Sequence, residues 1–220
     1  MATTFGVMGS GRRCRFFLRL AAAAPDRLRA TGVVTRSAER GQEVTAQWAL
    51  PAVRTLDELL AADRPDVVVA AVPWAQMPDA ARATVALGVP VLVETPPAPD
   101  LGEMRALRSD VGGSGLVQVA EQSHLVFRRT GIDLNLEGNE LDHVSLDGQV
   151  LYRNPFRGTR LSEDDIAVAA ILEATGAWAR DEAPPPYPLA QGCQDHAISL
   201  AIGESARTGR DVRVSKEVWA

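Results

Sequence analysis

The chain has 220 residues, of which 46% are hydrophobic and 23% are charged. These fractions are those of an ordinary globular protein, and they exclude a disordered, fibrous or coiled-coil chain. The formal net charge of −5 provides no basic field for collecting phosphates, so we expect neither nucleic acid nor a membrane surface as a partner. Among the 23 basic residues, Lys216 is the only lysine and the other 22 are arginines.

Targeting segments and metal sites are not expected either. The chain runs into a strand-like segment at residues 5–8 without a signal-peptide pattern, and no apolar run approaches the ~18 residues of a spanning helix. We therefore expect a cytoplasmic protein. Cys14 and Cys193 have no Cys-x-x-Cys partner, and the three histidines form no spaced ligand set, so we expect reduced cysteines and no bound metal.

Strand-like and helical patterns alternate over the first hundred residues. The uniform hydrophobicity of residues 66–72 is typical of a strand covered on both faces. The predicted strands are 5–8, 30–35, a short segment at Val53, 66–72 and 90–94, and the predicted helices are 12–24, 38–47, 55–62 and 77–87. This alternation predicts parallel strands joined by right-handed crossovers, which is the doubly wound α/β architecture.

The pattern changes after roughly Leu107. Glycines predict a flexible joint at 108–115, and Asp147-Gly148 predicts the turn of a hairpin. The elements expected beyond the joint are strands at 116–126 and 211–215, a hairpin at 142–152, and helices at 162–174 and 191–208. The sequence thus predicts a doubly wound domain over 1–107 and a small α+β domain over 116–220, built on an open, mostly antiparallel sheet. The helix 191–208 is a candidate for packing back on the first domain.

A nucleotide-binding signal lies between the first strand and the first helix. Gly9-Ser10-Gly11 offers a tight turn at the first glycine and close approach of a pyrophosphate at the second, with the N–H groups of the helix facing the anion. Cys14 occupies the place of the usual third glycine, so the alternative is a plain strand-to-helix turn. In its β-α-β context the motif indicates a dinucleotide site, and hence a Rossmann domain.

The end of the second strand indicates which dinucleotide is bound. An NAD site typically has an acidic residue there, which accepts a hydrogen bond from the ribose 2′-hydroxyl. This chain has Thr35-Arg36-Ser37, two hydroxyls and a guanidinium that suit a 2′-phosphate. We therefore expect NADP as the cofactor. NAD stays the alternative, because Arg36 is also one of many arginines expected at the surface.

Several segments together resemble the Gfo/Idh/MocA family, which includes glucose–fructose oxidoreductase and inositol dehydrogenase. They are Gly9-Ser10-Gly11-Arg12, the strand 66–72 ending in Pro73, the segment 88–96 with Glu94-Thr95-Pro96, Val119-Ala120-Glu121-Gln122, and the last helix at 194–209. The resemblance implies NAD or NADP in an N-terminal Rossmann domain, and an α/β domain that presents a substrate, often a sugar or polyol, to the nicotinamide. The residues that it implies at the cofactor are Gly9, Ser10, Gly11, Arg12, Arg13, Val72, Pro73, Glu94, Pro96 and Gln122.

Two catalytic signatures of that family are missing, so the chain resembles a shortened and divergent member. Relatives have Glu-Lys-Pro, with a cis peptide before the proline and the lysine beside the reacting carbon; here Thr95 replaces the lysine. A threonine can donate one neutral hydrogen bond but supplies no positive charge. The helix that corresponds to the family's His-x-x-Asp helix is 162–174, and it contains no histidine.

The remaining candidates each have a structural alternative. His124 shares a face of the predicted strand with Gln122, which is the face toward the cofactor if the segment aligns as in the family; otherwise it is an exposed strand end. Asp165 either contacts a cationic substrate or stabilises the first turn of its helix. Trp74 and Met77 follow a central strand, where ligands bind, and they either line the cofactor or are buried beneath the loop. The candidate catalytic residues are thus His124, Thr95 and Asp165.

Three functions stay open at this point. The first is an NADP-dependent reductase of a small biosynthetic intermediate, an imine or a ketone that needs little acid–base help. The second is a non-redox lyase, cyclase or isomerase, and the third is a catalytically inactive NADP(H)-binding subunit. The C-terminal sheet is too small to cover its own apolar face, so we also expect a homodimer through that face.

Overall fold

The apolar runs of the first 120 residues form one parallel sheet. The structure, a computed structural model, describes residues 1–120, 132–137 and 140–219. The strands of this sheet pair in the order β3-β2-β1-β4-β5-β6. They are β1 (Thr3–Met8), β2 (Leu28–Val34), β3 (Ala52–Val53), β4 (Val67–Ala70), β5 (Val91–Val93) and β6 (Val117–Val119). The order reverses between β1 and β4, so the sheet is doubly wound and the predicted α/β class is confirmed.

Helices cover both faces of this sheet. They are α1 (Arg12–Ala23), α2 (Ala38–Trp48), α3 (Leu56–Ala62), α4 (Met77–Ala86), α5 (Leu101–Val111), α6 (Glu163–Ala179) and α7 (Leu189–Thr208), with single 3₁₀ turns at Trp74–Gln76 and Gly112–Ser114. Adjacent residues of β5 point to opposite faces, and both are fully buried. Leu92 packs in one apolar cluster with Phe17 of α1, and Val93 packs in the other with Met104 of α5. This two-sided burial explains the absence of polar alternation in these strands.

The two C-terminal helices also pack on the parallel sheet. Val168 and Leu172 of α6 share an apolar cluster with Phe5 of β1. Leu189 and Cys193 of α7 share the opposite cluster with the valines of β6. Much of the apolar surface of the C-terminal half is therefore buried against the N-terminal fold.

One strand expected in the second domain belongs to the first sheet. The prediction of an alternating strand at 116–126 opening the C-terminal domain is wrong for its first part, because Val117–Val119 pairs in parallel with β5. The polar residue that suggested alternation, Gln118, is itself buried, and its side-chain oxygen accepts a hydrogen bond of 2.9 Å from the N–H of Tyr187. Residues 121–126 lie outside the described residues. The expected joint at 108–115 connects α5 to β6 within the parallel fold.

The expected closing strand at 211–215 does not form. These residues are irregular, and the edge of β6 is bridged by Pro188 at Gln118. The tail instead docks through Glu217, which accepts two hydrogen bonds from Arg105 of α5 at 2.8 and 2.7 Å. A charged anchor thus replaces the expected backbone pairing.

A smaller antiparallel sheet lies in the C-terminal half. Its strands are β7 (Ile132–Glu137), β8 (Glu140–Leu146) and β9 (Gln149–Arg153), in that order. The turn between β8 and β9 falls at Asp147 and Gly148, whose φ angles of 49° and 80° are those of a type I′ turn. The predicted hairpin is therefore confirmed.

Candidate functional site

The strand order places a crevice at the carboxyl ends of the strands of the parallel sheet. Strand β1 has β2 on one side and β4 on the other, so the connections leaving β1 and β4 diverge at their carboxyl ends. Ligands of open α/β sheets bind in such a crevice. The segments that meet there follow β1, β2, β4 and β5.

The loop after β1 allows its backbone to lie close to neighbouring groups. Gly9 has φ of 106°, and a Cβ added to it would collide with the carbonyl oxygen of Ala71, so only glycine fits here. A Cβ at Gly11 would meet nothing within 4 Å. Gly11 is also the N-cap of α1, which has no side-chain cap and no acid in its first turn. Open space beside uncapped helical N–H groups is what a dinucleotide pyrophosphate requires, so these residues fit the cofactor.

The end of β2 is tied to the glycine loop by hydroxyl groups. The Ser10 and Thr35 hydroxyls are hydrogen bonded at 2.8 Å. The N–H of Ser37 donates to the Thr35 hydroxyl at 3.3 Å, and the Ser37 side chain caps α2 by accepting from the N–H of Arg40. A cavity of about 530 Å³ lies beside this segment, lined in part by Thr35, Ser37 and Arg54.

Arg36 presents an unbalanced positive charge at the same edge. Its guanidinium donates a hydrogen bond of 2.8 Å to the side-chain oxygen of Gln76, in the turn after β4. In the described part of the chain this neutral amide is its one hydrogen-bond partner, and no carboxylate pairs with it. The guanidinium is exposed and its charge is available to an anion.

A buried carboxyl lies at the end of β5. Glu94 accepts a hydrogen bond of 2.7 Å from Nε of Arg13, and the Glu94 side chain is only 15% exposed. Burial raises the pKa of Glu94, and Arg13 opposes the rise. The guanidinium of Arg13 also stacks 4.4 Å from the ring centre of Phe16. This pair joins the start of α1 to the end of β5, across the carboxyl end of β4.

Thr95 occupies the position of the missing lysine. It is exposed, and the peptide between Thr95 and Pro96 is cis, as the resemblance implied. Lys216 lies in the C-terminal tail, where the neighbouring Glu217 is bound to Arg105 of α5. In the described ranges the charged groups at the end of β5 are therefore a carboxyl and a guanidinium, with no ammonium.

The predicted cofactor-binding residues after β4 differ in their exposure. Val72 packs beside Gly9, Pro73 is exposed, and the Trp74 side chain is 62% exposed at the crevice. Met77 is fully buried in the cluster that contains Met104. The prediction that Met77 lines the cofactor is wrong for this structure, because the first turn of α4 points it into the core.

Asp165 is engaged within the fold, and its hydrogen-bond partners among the described residues are Ser162 and Arg19. It accepts hydrogen bonds from the N–H and hydroxyl of Ser162 at 3.1 and 2.9 Å, which completes a capping box, and it pairs with Arg19 of α1. Burial raises its pKa, but the hydrogen bonds from Ser162 and Arg19 outweigh burial, so the net shift is downward. His124 and Gln122 lie outside the described residues.

Sequence reasoning did not identify two residues of this edge. Gln76 holds Arg36, and Arg54 follows β3 and lines the cavity beside Ser37. Arg54 comes directly after β3 and Gln76 lies in the turn that follows β4, and the rule that ligands bind at the carboxyl ends of strands would have selected both. Nor did the sequence indicate that Arg13 and Glu94, 81 positions apart, form an ion pair.

Comparison with known proteins identifies the family. A model of the Gfo/Idh/MocA oxidoreductase family, described by its NAD-binding Rossmann fold, matches residues 3–120, more than half of the chain. The chain belongs to the Gfo/Idh/MocA family. The family model describes oxidoreductases with an NAD-binding Rossmann fold, so a nicotinamide dinucleotide is the class of cofactor that this family binds.

Two solved structures resemble this Gfo/Idh/MocA chain over nearly its whole length. The WlbA dehydrogenase of Bordetella pertussis, in complex with NADH and UDP-GlcNAcA, has a TM-score of 0.69 and 14% identity, covering 98% of each chain. An oxidoreductase of Agrobacterium radiobacter, in complex with NAD⁺, L-tartaric acid and magnesium, has a TM-score of 0.66 and 12% identity, covering 97% of this chain and 99% of its own. At these identities the likeness shows the fold alone.

A third structure is closer in sequence over a shorter region. The UDP-N-acetylglucosamine 3-dehydrogenase GnnA of Acidithiobacillus ferrooxidans is 30% identical over 54% of this chain and 36% of its own, with a TM-score of 0.47. No curated protein matches the chain. None of the helices that the structure describes is both long and apolar enough to cross a membrane. The same described residues contain no group of three or more metal-ligating side chains that could hold an ion.

Proposed function

We propose that this Gfo/Idh/MocA protein is an NADP-dependent reductase of a small biosynthetic intermediate. The observation that carries the proposal is the carboxyl edge of the sheet, where an open glycine loop adjoins an arginine without an acidic partner. WlbA and the Agrobacterium oxidoreductase were solved with NADH and NAD⁺, so the preference for NADP rests on Arg36 of this chain.

Each segment of the edge has a distinct part in holding NADPH. Gly9, Ser10 and Gly11 with the N-terminus of α1 receive the pyrophosphate, and Arg12 and Arg13 lie in that first turn. A second set, at the end of β2, receives the 2′-phosphate and consists of Thr35, Arg36 and Ser37. The nicotinamide end falls near Val72, Pro73, Trp74, Glu94 and Pro96. When bound, NADPH supplies a hydride.

The substrate we propose is an imine or a ketone that needs little acid–base assistance. An iminium already carries its proton, so its reduction requires no lysine at position 95. The exposed Thr95 hydroxyl can donate one hydrogen bond to a substrate heteroatom. His124 stays a predicted catalytic residue outside the described residues, whereas Asp165 is predicted to act structurally, because its carboxylate is engaged with Ser162 and Arg19.

A second candidate function is cofactor binding without hydride transfer, in a non-redox enzyme or a regulatory subunit. The specific observation in its favour is Thr95, which removes the cationic group that family members place beside the reacting carbon. The two functions share the NADP site and differ only in turnover. A cytoplasmic location stays a prediction from the sequence.

Cofactor titration tests the shared part of the proposal. The four tryptophans include the exposed Trp74 at the crevice, so NADPH binding should change the intrinsic fluorescence of the protein saturably. We expect NADPH to bind at least ~10-fold more tightly than NADH, because one charge-assisted phosphate contact contributes about 1.5–3 kcal/mol. No saturable response to either cofactor would exclude both candidate functions.

Turnover then separates the two candidates. Purified protein is incubated with NADPH and a panel of cyclic imines and small ketones, and loss of the reduced cofactor is followed by absorbance. Consumption with an imine or ketone, and not without one, supports the reductase. Tight NADPH binding without consumption across the panel supports the non-redox candidate.

A further inference from the structure

A second pocket lies at the amino ends of the strands of the parallel sheet, on the side opposite the crevice described above. It has a volume of about 180 Å³ and is enclosed by the end of α5, the start of β6, the end of α6 and the start of α7. Because it adjoins Val117, the first residue of β6, it is at the amino edge of the sheet. Its volume is below the ~300–1,000 Å³ of pockets for drug-sized ligands, so a dinucleotide does not fit.

The charged side chain of this pocket is Arg108. Its Nε is fully buried, and none of the residues that the structure describes accepts a hydrogen bond from it. Within the described ranges no carboxylate pairs with it, whereas Arg82 and Arg180, which are 29% and 19% exposed, each bind two or more carboxylates. Burying a guanidinium donor without an acceptor is unfavourable. The surroundings of Arg108 are therefore electrostatically incomplete.

A second positive group faces the same pocket. The pocket is lined by Pro188, Leu189 and Ala190, which form the N-terminus of the 20-residue helix α7. That helix has no side-chain cap and no acid in its first turn. Its free N–H groups and the positive end of its dipole favour an anion. The guanidinium and the helix start come from different elements and converge on one space.

Apart from Gln118, whose side-chain oxygen accepts a hydrogen bond from the N–H of Tyr187, the rest of the lining consists of apolar residues and glycines. Trp178, Pro185, Val111 and Val117 form the walls around Arg108. An inorganic anion would gain nothing from such walls, whereas a carboxylate with an apolar body would bury that body against them. A carboxylate also matches the planar fork of a guanidinium.

We propose that this pocket binds a small organic monocarboxylate, with the carboxylate on Arg108 and the start of α7 and the body against Trp178. The site lies apart from the NADP edge and adds a ligand that the proposed reductase activity does not require.

Benzoate is the probe for this site. Binding is followed by tryptophan fluorescence, to which Trp178 contributes, and by thermal unfolding of the full chain. We expect a saturable fluorescence change and a rise in Tm of roughly 3–5 °C at about ten times Kd. Inorganic phosphate at the same concentrations should give no response. No saturable response to benzoate, or an equal response to phosphate, would overturn the proposal.

Substitutions localise the response. Arg108→Met should weaken benzoate binding at least ~10-fold without lowering the Tm of the free protein, because no described carboxylate pairs with Arg108. Arg207→Met, at the far end of α7, is the control and should bind benzoate as the wild type does. If Arg108→Met fails to fold, Ala190→Glu replaces it, since a glutamate in the first turn of α7 should occupy the site and abolish binding. Benzoate binding that survives in the folded variant contradicts the assignment.

The two proposals are tested independently. NADPH titration of Arg108→Met should give the wild-type Kd, because the two sites lie at opposite edges of the sheet. A loss of NADPH binding in this variant would mean that the pocket at α7 is coupled to the cofactor edge and is not a separate site.

Discussion

At the scale of single residues, side-chain hydrogen bonds connect the segments that form the candidate cofactor site. The bond between Ser10 and Thr35 joins the glycine loop to the end of β2, and the bond between Arg36 and Gln76 joins that end to the turn after β4. Gln76 is neutral, so it orients the guanidinium without cancelling its charge. A phosphate oxygen can therefore replace or share this contact at little cost.

Arg36→Ala should weaken NADPH binding about 10- to 100-fold, because it removes a charge-assisted contact worth about 1.5–3 kcal/mol. NADH, which has no 2′-phosphate, should bind as tightly as to the wild type. Arg29→Ala is the matched control, since Arg29 lies at the other end of β2 and pairs with Asp63 at 2.6 Å. An equal loss of affinity for NADPH and NADH would mean that Arg36 does not bind the 2′-phosphate.

Thr95→Lys should leave the fold intact. Thr95 is exposed, and surface substitutions usually change stability by less than about 0.5 kcal/mol. The measurement is urea unfolding of the variant beside Thr95→Met, which has similar length and no charge. An aggregated Thr95→Lys variant would show that the space at the end of β5 is smaller than the structure indicates. If the site is catalytic, ketone reduction should rise with lysine and not with methionine, because only lysine supplies positive charge.

At the scale of secondary-structure elements, capping determines where helix α6 begins. Ser162 and Asp165 satisfy each other's backbone N–H groups, and Arg19 ties the same carboxylate to α1. The sequence predicts that Asp165 either contacts a substrate or stabilises the first turn of its helix, and the structure contains the second arrangement, in the form of a capping box. One carboxylate thus fixes both the start of α6 and its position against α1.

The lowered pKa of Asp165 gives a pH dependence with a defined sign. The unfolded chain binds the proton more tightly than the folded one, so the stabilisation is present above the unfolded pKa of about 3.9 and is lost as the pH falls through the lower folded value. Asp165→Asn should lower the free energy of unfolding at neutral pH by about 1–2 kcal/mol, allowing for the exposure of Arg19. The difference from wild type should shrink below about pH 3.

The control for this experiment is Glu163→Gln, an exposed neighbour in the same turn. Its effect on urea unfolding should stay within about 0.5 kcal/mol. Turnover per folded molecule should be unchanged in Asp165→Asn. A variant with wild-type stability and no turnover would return Asp165 to the catalytic candidates.

At the scale of the whole molecule, the small antiparallel sheet exposes several apolar side chains. Leu136 on β7 and Val150 and Leu151 on β9 are 58%, 37% and 51% exposed. Exposed apolar side chains on a short sheet are a feature of surfaces that pair with another subunit. We propose a homodimer through this sheet, as its small size predicted.

Light scattering measures this directly. The wild type should have the mass of a dimer, and Leu151→Glu should shift it to a monomer by placing a charge in the interface. Ile202→Glu, on an exposed position of α7 that is 65% accessible, is the control and should stay dimeric. A monomeric wild type would contradict the proposal.

Local sequence patterns determined much of this protein. The glycine loop, the buried valine runs, the hairpin turn at Asp147-Gly148 and the helix starts depend on residues close together in the chain, so their periodicity and turn chemistry were readable. The family motifs likewise lie in short segments, and they predicted where the cofactor binds. The sequence alone shows that Thr95 stands where family members have a lysine.

Only the tertiary structure decided which distant segments meet. Val117–Val119 pairs with β5 as the outer strand of the parallel sheet, and Pro188 bridges the other side of this strand. The burial of Met77 and the isolation of Arg108 were settled in the same way. Such outcomes depend on contacts between residues tens of positions apart, whose energies no local pattern encodes.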